Sequence, residues 1–371
     1  MAQKIVFVLG AGASAQAGGP LMSTFLDRAR DLLAAGAVAD RKDDFERVFK
    51  ALVRLRDVFF KSGLDLDNIE SVFAAFEMAG TIGKLGGYSV EEIADLARSI
   101  RVLIVRTLDE SIKYAHNLTD NMAAPPVGYD SLVNLIKRVN QRASGELLCS
   151  LLTFNYDIAL DYALMHAGIP HDYCLEPSAG SGTKLLKLHG SLNWGKCPQC
   201  KKTMAADLSM DAVLRYASGS SSSTFTLPAA REIAQVKCGN CSIYLSSEPV
   251  IVPPTWDKTE GHNGLANVWK QAAIELGQAE NIICIGYSLP ESDLFFRYLF
   301  ALGTIGDAHV RRFWVFDPDA EGVVEQRYRK LIGRGIERRF KFFKGDAGKF
   351  VTALKRDNEL WKLLTEYAEC T

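Results

Sequence analysis

Short apolar runs recur along the chain, and each is soon followed by a residue that favours turns: Gly, Pro, Asn or Asp. The first run occupies residues 4–9 and leads directly into a glycine-rich segment. Apolar runs of this length with such endings are typical of strands buried in a parallel sheet. The other runs that we interpret as strands cover 147–155, 184–188, 249–252, 281–285, 312–316 and 340–343.

Between the apolar runs, hydrophobic residues recur every three or four positions, which is the spacing of an amphipathic helix. Ile93, Leu96 and Ile100 show this spacing, and we predict a helical module over 31–145 and a further helix after residue 343. Strands that alternate with helices predict an α/β fold with a mostly parallel, doubly wound sheet. The clearest helical face consists of Phe45, Val48, Phe49, Leu52, Leu55 and Phe59.

The composition is that of an ordinary globular chain and excludes several classes of protein. Of the 371 residues, 48% are hydrophobic and 23% are charged, which is neither a disordered nor a collagen-like balance. The 43 Lys and Arg residues nearly cancel the 44 Asp and Glu residues, so the net charge gives no global attraction to nucleic acid or to an anionic membrane, and no direct binding to either is evident. A local basic patch is not excluded by this balance. No apolar run approaches the roughly 18 residues of a spanning helix, and we expect a cytoplasmic protein.

The segment after the first strand suits a phosphate group. Gly10, Ala11, Gly12 and Ser14 lie between a predicted strand and a predicted helix. Glycine lets the backbone turn sharply and approach a ligand closely, and the free N–H groups at the start of a helix attract phosphate. The pattern predicts a nucleotide-binding loop. The alternative is a tight turn without a ligand.

Polar residues follow two further predicted strands. Asn155 and Asp157 come at the end of the 147–155 run, and His189 follows the 184–188 run. Ligands of open α/β sheets bind at the carboxyl ends of the strands, so these side chains are candidates for a functional site. A histidine in such a place can exchange protons near neutral pH. The alternatives are helix capping by Asn155 or Asp157 and a structural role for His189.

Four cysteines form two CxxC pairs with 37 residues between them. Each pair presents two thiolates to one ion, and two pairs complete a tetrahedral zinc site. Because four thiolates fill the coordination shell, we expect the zinc to be structural and not catalytic. The alternative is a redox dithiol. The predicted ligands are Cys197, Cys200, Cys238 and Cys241.

Two more strand ends offer polar groups. Gly286 and Ser288 follow one apolar run, where they are candidates to line a phosphate or a ribose. Asp317 follows the next apolar run and is a candidate to accept hydrogen bonds from ribose hydroxyls. The alternatives are a capped turn around Gly286 and a turn-forming role for Asp317.

In this order the motifs resemble those of the sirtuin family. The family pattern is a GAGxS loop, a TxNxD strand end, a His-Gly pair, two CxxC pairs and a GxS strand end. The resemblance therefore spans most of the predicted strands. The corresponding segments of this chain are 10–14, 153–157, 189–190, 197–241 and 286–288.

The resemblance implies a Rossmann-like NAD-binding domain with two insertions. The insertions are the helical module at 31–145 and a four-cysteine zinc-binding module at 196–245. The NAD-binding domain is then discontinuous, and its parts are 1–30, 146–195 and 246–371.

The resemblance also implies a reaction, the cleavage of the bond between nicotinamide and ribose. Asn155 would orient the nicotinamide ribose or a water molecule, Asp157 would hold the nicotinamide amide, and His189 would act as the base. NAD is then a substrate whose redox state does not change, and Zn2+ is structural with one ion per chain. The residues implied to hold NAD are Gly10, Ala11, Gly12, Ser14, Asn155, Asp157, Gly286, Ser288 and Asp317.

The chain departs from the protein-deacylating sirtuins at two places. Pro20 is followed by Leu-Met-Ser instead of Asp-Phe-Arg. The 248–255 segment, where the deacylases pair with the acyl-lysine peptide, holds three prolines that cannot donate hydrogen bonds to a ladder. With its NAD motifs retained, the chain looks like the divergent bacterial sirtuin-like NAD hydrolases of antiphage defence. The 68–73 segment resembles the same group.

We therefore expect an NAD+ hydrolase that produces nicotinamide and ADP-ribose in bacterial antiphage defence. The resemblance implies a partner protein, such as a ring ATPase or an Argonaute-like protein, or a homo-oligomer. Two alternatives stay open. One is an NAD-dependent protein lysine deacylase, which the intact set of four cysteines favours. The other is a non-enzymatic sensor of NAD or ADP-ribose.

Overall fold

A seven-stranded sheet in which all neighbouring strands are parallel organises the fold. Two three-stranded antiparallel sheets lie outside it. The structure is a computed structural model, and it describes residues 4–57, 63–117, 122–126, 128–142, 148–177, 180–206, 213, 216–217, 223–252, 264–291, 293–306 and 308–345.

The strands are numbered along the chain. They are β1 (Ile5–Leu9), β2 (Tyr114–Asn117), β3 (Met122–Ala124), β4 (Cys149–Thr153), β5 (His171–Asp172), β6 (Thr183–Lys187), β7 (Gly190–Lys196), β8 (Thr203–Ala205), β9 (Thr224–Phe225), β10 (Pro249–Ile251), β11 (Asn281–Ile285), β12 (Arg312–Asp317) and β13 (Phe340–Lys344).

The helices are numbered in the same way, and short 3₁₀ segments occur at Ala15–Ala17, Ala39–Arg41 and Glu337–Arg339. The α-helices are α1 (Ala11–Ser14), α2 (Phe25–Ala34), α3 (Lys42–Arg56), α4 (Ile69–Ile82), α5 (Val90–Ser111), α6 (Tyr129–Arg142), α7 (Ala159–His166), α8 (Ala229–Ile233), α9 (Ala266–Gln278), α10 (Leu294–Gly303) and α11 (Val323–Leu331).

The order of the large sheet, β13-β12-β11-β1-β4-β6-β5, reverses at β1. From β1 the chain builds the sheet outward through β4, and later it returns to the other side of β1 through β11. Leu9 pairs in register with Thr153 of β4 and with Ile285 of β11, so the carboxyl ends of these three strands coincide. The predicted doubly wound parallel sheet is confirmed, and its switch point lies between β1 and β11.

Alternate residues of β1 face the two layers of helices. Phe7 and Leu9 belong to a core shared with helices from α2 to α7, whereas Val6 and Val8 belong to a core shared with α9, α10 and α11. All five residues of β1 are buried. A strand covered on both faces reads as a continuous apolar run, which is why it was recognisable in the sequence. Among the described helices, none is both long and apolar enough to cross a membrane.

The strand predicted at 249–252 is present as β10, but it lies outside the parallel sheet to which the alternation of strands and helices had pointed. β10 does not join the parallel sheet; it pairs antiparallel with β7, with an irregular register next to Pro249. The main-chain nitrogen of proline cannot donate to a ladder, and a short antiparallel edge tolerates that loss better than a central parallel strand. Apolar composition alone did not distinguish these two environments.

The helices predicted within 31–145 are present, together with short strands that periodicity did not predict. β2 pairs with β3 and, from a distant part of the chain, with β9. Phe45, Val48 and Leu52 are buried on one face of α3, as predicted. Phe59 lies outside the described residues, as does the helix expected after residue 343, apart from 344–345.

Asn68 has a local role that the sequence pattern alone left unexplained. Its side chain accepts hydrogen bonds from the main-chain nitrogens of Glu70 (2.9 Å) and Ser71 (3.4 Å), so it caps the start of α4. The next helix, α5, begins with a reciprocal capping box between Ser89 and Glu92. These caps fix where the two helices start.

A buried carboxyl lies where α5 contacts α8. Asp109 is 3% exposed, and among the described residues neither of its carboxylate oxygens has a hydrogen-bond partner. Arg106 is on the same helix, but its Nη2 atom pairs with Asp40 (3.2 Å) and Glu110 (3.1 Å) instead. Burial raises the pKa of Asp109 to about 8, although the positive charges of Arg106 and Arg231 act in the opposite direction.

We expect Asp109→Asn to stabilise the protein, and more so at about pH 8 than at about pH 5. The unfolded chain ionises this carboxyl near its ordinary pKa of 3.8, but the folded chain does so only near 8. The unfolded state therefore binds fewer protons between these values, and the wild type loses stability as the pH rises. The amide carries no charge to desolvate. Thermal unfolding midpoints at both pH values measure the effect.

The matched control is Asp95→Asn on the same helix, where the carboxylate is exposed and pairs with Arg98. We expect that change to stay within about 0.5 kcal/mol at both pH values. An Asp109→Asn protein with a midpoint at or below that of the wild type near pH 8 contradicts the interpretation.

Candidate active site and metal centre

The turns that follow β1 and β11 touch each other through their backbones. Gly10 donates its N–H to Ile285 O (3.2 Å), and Gly12 donates to Gly286 O (2.9 Å). A Cβ atom on Gly286 would lie 2.4 Å from Ala13 N, and Gly286 has a φ of +59°, so a larger residue is excluded on both grounds. Glycine is therefore needed at these positions because the two turns pack backbone against backbone.

A buried network of polar side chains lies directly behind this contact. Ser14, at the end of α1, donates from Oγ to Asp157 Oδ2 (2.8 Å). Asn155, just beyond β4, donates from Nδ2 to Ser14 Oγ (3.0 Å) and to Gly10 O (2.9 Å). The glycine loop and the strand end that were predicted separately are thus joined by direct hydrogen bonds.

Tyr129 belongs to this network, and the sequence analysis did not identify it. Its hydroxyl lies 2.8 Å from Ser14 Oγ and 3.5 Å from Asn155 Nδ2. Burial raises the pKa of Tyr129, so the hydroxyl stays protonated. Because Ser14 gives its only hydrogen to Asp157, Tyr129 must be the donor to Ser14. The only signal in the sequence is a tyrosine at the first position of α6, which is indistinguishable from a core residue.

These directions determine which atom of Asn155 is available. Both amide hydrogens of Asn155 are used, one by Gly10 and one by Ser14. Among the described residues nothing donates to Asn155 Oδ1, so this oxygen is the atom left to accept a hydrogen bond from a ligand or a water molecule. The alternative of helix capping is not the role of Asn155 here.

Asp157 contacts two segments through its two carboxylate oxygens. Its Oδ1 atom accepts a hydrogen bond from Ala159 N (3.0 Å), the first residue of α7, whose N-cap residue is Ile158. Its Oδ2 atom accepts from Ser14. Burial raises the pKa of Asp157, while the Lys187 ammonium acts in the opposite direction. Asp157 therefore connects α7 to the glycine loop.

A fully buried ion pair holds the backbone between β4 and α7, at Asp157. Lys187, the last residue of β6, and Asp161 of α7 are 0% and 1% exposed and lie 2.9 Å apart. Lys187 Nζ also donates to Asp157 O (2.6 Å), and Tyr173 donates its hydroxyl hydrogen to Asp161 Oδ1 (2.6 Å). Removing one partner of such a pair leaves an unpaired buried charge and costs roughly 3–5 kcal/mol. The backbone at Asp157 is therefore firmly held.

His189 lies among aromatic rings at the neighbouring strand end. It follows β6, is 5% exposed, and its ring centroid is 5.0 Å from that of Phe154. His189 Nε2 lies 3.9 Å from Asp293 Oδ2, which accepts a hydrogen bond from the Tyr287 hydroxyl (2.6 Å). Sequence analysis did not connect Tyr287 or Asp293 with this histidine, because they follow a distant strand, β11.

The glycine after His189 is also required by packing. Gly190 has a φ of +90°, and a Cβ atom there would lie 2.0 Å from Val250 O in β10. Val252 N donates to His189 O (2.8 Å). β10 and the residue after it, Val252, therefore hold the backbone around His189. This strand lies beside the site.

The remaining candidates follow β11 and β12. Asp317 ends β12, and its Oδ1 atom accepts a hydrogen bond from Asp319 N (3.1 Å). Burial raises the pKa of Asp317. Ser288 is half-buried, and its main-chain oxygen accepts a hydrogen bond from Arg327 (3.3 Å). The residues that the resemblance implies for NAD and its cleavage lie at the carboxyl ends of β12, β11, β1, β4 and β6. These strands are parallel neighbours in that order, so all of these residues lie at one edge of the sheet.

The two CxxC segments have the same backbone form. Lys201 donates its N–H to Cys197 O (3.0 Å), and Ser242 donates to Cys238 O (2.8 Å). Each of these donors follows the second cysteine of its pair and has a left-handed φ, +61° for Lys201 and +58° for Ser242. Two distant segments that share so unusual a turn present their thiols in the same way.

The four thiols meet at spacings that suit zinc. Their sulfur atoms all lie within 4.8 Å of one another, and Cys200 Sγ is 3.6 Å from Cys238 Sγ. A tetrahedral site with Zn–S bonds of about 2.3 Å places its sulfurs about 3.8 Å apart. Burial opposes the thiolate of Cys197, but main-chain N–H groups of Cys200 and Gln199 outweigh it and lower the pKa of Cys197 to about 7. The predicted four-cysteine cluster is confirmed as a place for a metal ion.

No protein-family model and no curated protein matches this chain. Among solved structures it is similar to several Sir2 proteins. A Sir2 homologue mutant in complex with ADP-ribose is 14% identical, covers 98% of this chain and 93% of its own, and has a TM-score of 0.42. A Sir2–p53 peptide–NAD+ complex is 13% identical, covers 96% and 94%, and has a TM-score of 0.39. At these values the likeness says nothing about activity, which is therefore inferred from this chain's own side chains.

We expect Cys197→Ser or Cys241→Ser to remove the metal and loosen the region 196–245. Three thiolates bind zinc more weakly than four, and the folding of a small metal site is coupled to metal binding. Elemental analysis of the purified protein and limited proteolysis measure both effects. The control is Cys174→Ser, a buried thiol outside the cluster. Wild-type protein with free thiols and well below one zinc ion per chain contradicts the assignment.

Proposed function

We propose that the protein is a sirtuin-like NAD+ glycohydrolase that cleaves the nicotinamide–ribose bond and releases nicotinamide and ADP-ribose. The observation that carries the proposal is the buried network of Ser14, Asn155 and Asp157, with His189 against the adjoining Phe154 ring. These groups follow neighbouring strands at the switch point, where α/β sheets bind nucleotides.

The reaction needs an acceptor for protons and a fixed position for water. When the N-glycosidic bond breaks, nicotinamide leaves with the bonding electrons and an oxocarbenium-like ribose remains. Water adds to the ribose carbon and loses a proton, for which His189 is the candidate base. Asn155 Oδ1 is the candidate acceptor that orients this water or a ribose hydroxyl, because both amide hydrogens are already committed.

The dinucleotide would lie along the carboxyl edge of the sheet. Ala11 and Gly12 are half-buried at the first turn, where main chain without bulky side chains suits a diphosphate. Gly286 and Ser288 would line the neighbouring turn. Asp317 ends β12, two strands from β1, and would accept hydrogen bonds from a ribose hydroxyl at the far end.

Hydrolysis is favoured over transfer to an acyl-lysine peptide. The prolines of the 248–255 segment reduce the hydrogen bonds that a peptide could form there, and β10 already uses one side in pairing with β7. The intact cysteine cluster is the one feature that favours a deacylase. A role in bacterial antiphage defence, with a partner protein or as a homo-oligomer, is part of the proposal and rests on the sequence resemblance.

The test is nicotinamide release from NAD+ by purified protein, with and without an acetylated peptide. We expect release without peptide, and a fall of roughly 100-fold or more in His189→Ala and in Asn155→Ala, since positioned proton transfer contributes about that much. The matched control is His309→Ala, an exposed histidine that should leave turnover unchanged.

Three results contradict the hydrolase. Release only with peptide, together with deacetylation, identifies a deacylase. Binding of NAD+ without turnover by the protein and its partner identifies a sensor. Wild-type turnover in folded His189→Ala or Asn155→Ala protein removes these residues from the reaction.

We expect Tyr129→Phe to lower kcat by roughly tenfold with little change in KM, and to lower the free energy of unfolding by about 1 kcal/mol. The ring that fills the core remains, but Ser14 loses one donated hydrogen bond, worth about 1 kcal/mol, and Asn155 is held less firmly. Steady-state kinetics and thermal unfolding separate the two effects. Tyr244→Phe, at an exposed tyrosine, is the control. Unchanged kcat shows that the hydroxyl does not position Asn155.

A further inference from the structure

Positive charge is concentrated in one short segment near the end of the described chain. Residues 326–344 contain eight Lys or Arg residues and a single acidic residue, a formal charge of +7. The whole chain carries −1, so all remaining residues together carry −8. The near-zero total therefore conceals a strong local asymmetry, which is the kind of distribution that attracts a polyanion.

This segment forms the edge of the sheet away from the candidate site. It comprises the end of α11, a turn, the 3₁₀ segment Glu337–Arg339 and the edge strand β13. Phe340, which begins β13, pairs with Phe313 at the amino end of β12. The turn before it therefore lies at the amino edge of the sheet, whereas the candidate site lies at the carboxyl edge.

Three of these cationic side chains are exposed and have no ion-pair partner among the described residues. Lys330, Arg334 and Arg338 make no ion pair with any described residue and are exposed. By contrast, Arg329 pairs with Glu325 (2.7 Å), and Arg339 donates to a main-chain oxygen (2.6 Å). We name Lys330, Arg334 and Arg338 the basic turn.

The lysines of β13 are left out of the basic turn. Lysine on an edge strand also serves to prevent strands of other chains from pairing with it. Lys341 lies 5.7 Å from the Trp314 ring centroid, and Lys344 lies at the other end of the strand, opposite Asp317. Lys330, Arg334 and Arg338 have no such role.

The chemistry of this surface distinguishes between kinds of partner. All of 326–344 is described, and none of the exposed large hydrophobic side chains of the structure falls within it. Stable protein interfaces have a mostly apolar centre, and stable membrane anchoring needs an apolar insertion or a lipid chain in addition to basic residues. A nucleic-acid backbone is bound by charge alone, through arginine and lysine on phosphates.

We propose that the basic turn binds the phosphodiester backbone of a nucleic acid, without reading its sequence. The near-zero net charge gave no evidence of such binding, but it left room for a local basic patch of this kind. Duplex DNA and single-stranded RNA share the phosphodiester chemistry, and the test includes both. The proposal does not depend on the proposed NAD+ hydrolysis, because binding at the amino edge needs no turnover at the carboxyl edge.

The experiment measures fluorescence anisotropy of labelled duplex DNA and labelled single-stranded RNA with the full chain, over a range of salt concentrations. We expect Lys330→Glu/Arg334→Glu/Arg338→Glu to weaken binding by roughly 100-fold or more at about 0.1 M salt. The slope of log affinity against log salt should fall by about three, one for each lost phosphate contact. The three positions are exposed, so the thermal midpoint should be unchanged.

The matched control is Arg41→Glu/Lys84→Glu/Lys270→Glu, the same change of charge at three exposed positions elsewhere. We expect it to bind as the wild type does. Four results overturn the proposal: no wild-type binding to either nucleic acid at about 50 mM salt, binding that does not depend on salt, an equal loss in the control, or displacement by polyglutamate at equal charge. Preference for DNA or for RNA identifies the source of the phosphates.

Discussion

The contact between the glycine turns after β1 and β11 is the constraint on which the rest of the structure depends. Gly12 and Gly286 meet backbone to backbone, at a distance that leaves no room for a Cβ atom. This contact brings the two halves of the sheet together at the point where strand order reverses. Because the turns touch, the polar residues that follow the neighbouring strands lie close together, at the switch point where open α/β sheets bind their ligands.

The polar side chains at this point are buried, and each must therefore have hydrogen-bond partners within the protein. Ser14 is the centre: it accepts from Asn155 and Tyr129 and donates to Asp157, which uses the full capacity of a hydroxyl group. A fully used centre fixes the direction of every bond around it. The Lys187 ammonium beneath adds a charge that holds the backbone of the same loop. The proposed reaction, in which Asn155 Oδ1 would orient a water molecule or a ribose hydroxyl, needs this degree of order before any substrate arrives.

The opposite edges of the same sheet differ in chemistry. At the carboxyl edge, Lys187 and Asp161 form a fully buried ion pair. At the amino edge, Arg334 and Arg338 are exposed and form no ion pair with any residue that the structure describes. Buried charges are stable only when they are paired, and such pairs hold the segments that carry them in fixed positions. Exposed and unpaired charges contribute little to stability, so a concentration of them is best explained by attraction to something outside the chain. A hydrolase at one edge and a nucleic-acid contact at the other would place catalysis and recognition on separate surfaces.

The sequence by itself determined six of the seven strands of the doubly wound sheet, all but the two-residue β5, together with the paired cysteines and the residues that follow the predicted strands. These are local signals of periodicity and composition. The sequence did not determine which sheet β10 joins, since an apolar run looks alike in both environments. Nor did it reveal Tyr129, which lies 115 residues from Ser14 along the chain and whose role is a single hydrogen bond. Only the tertiary structure decided these, because pairing and hydrogen-bond direction are properties of two distant segments together and leave no pattern in either one alone.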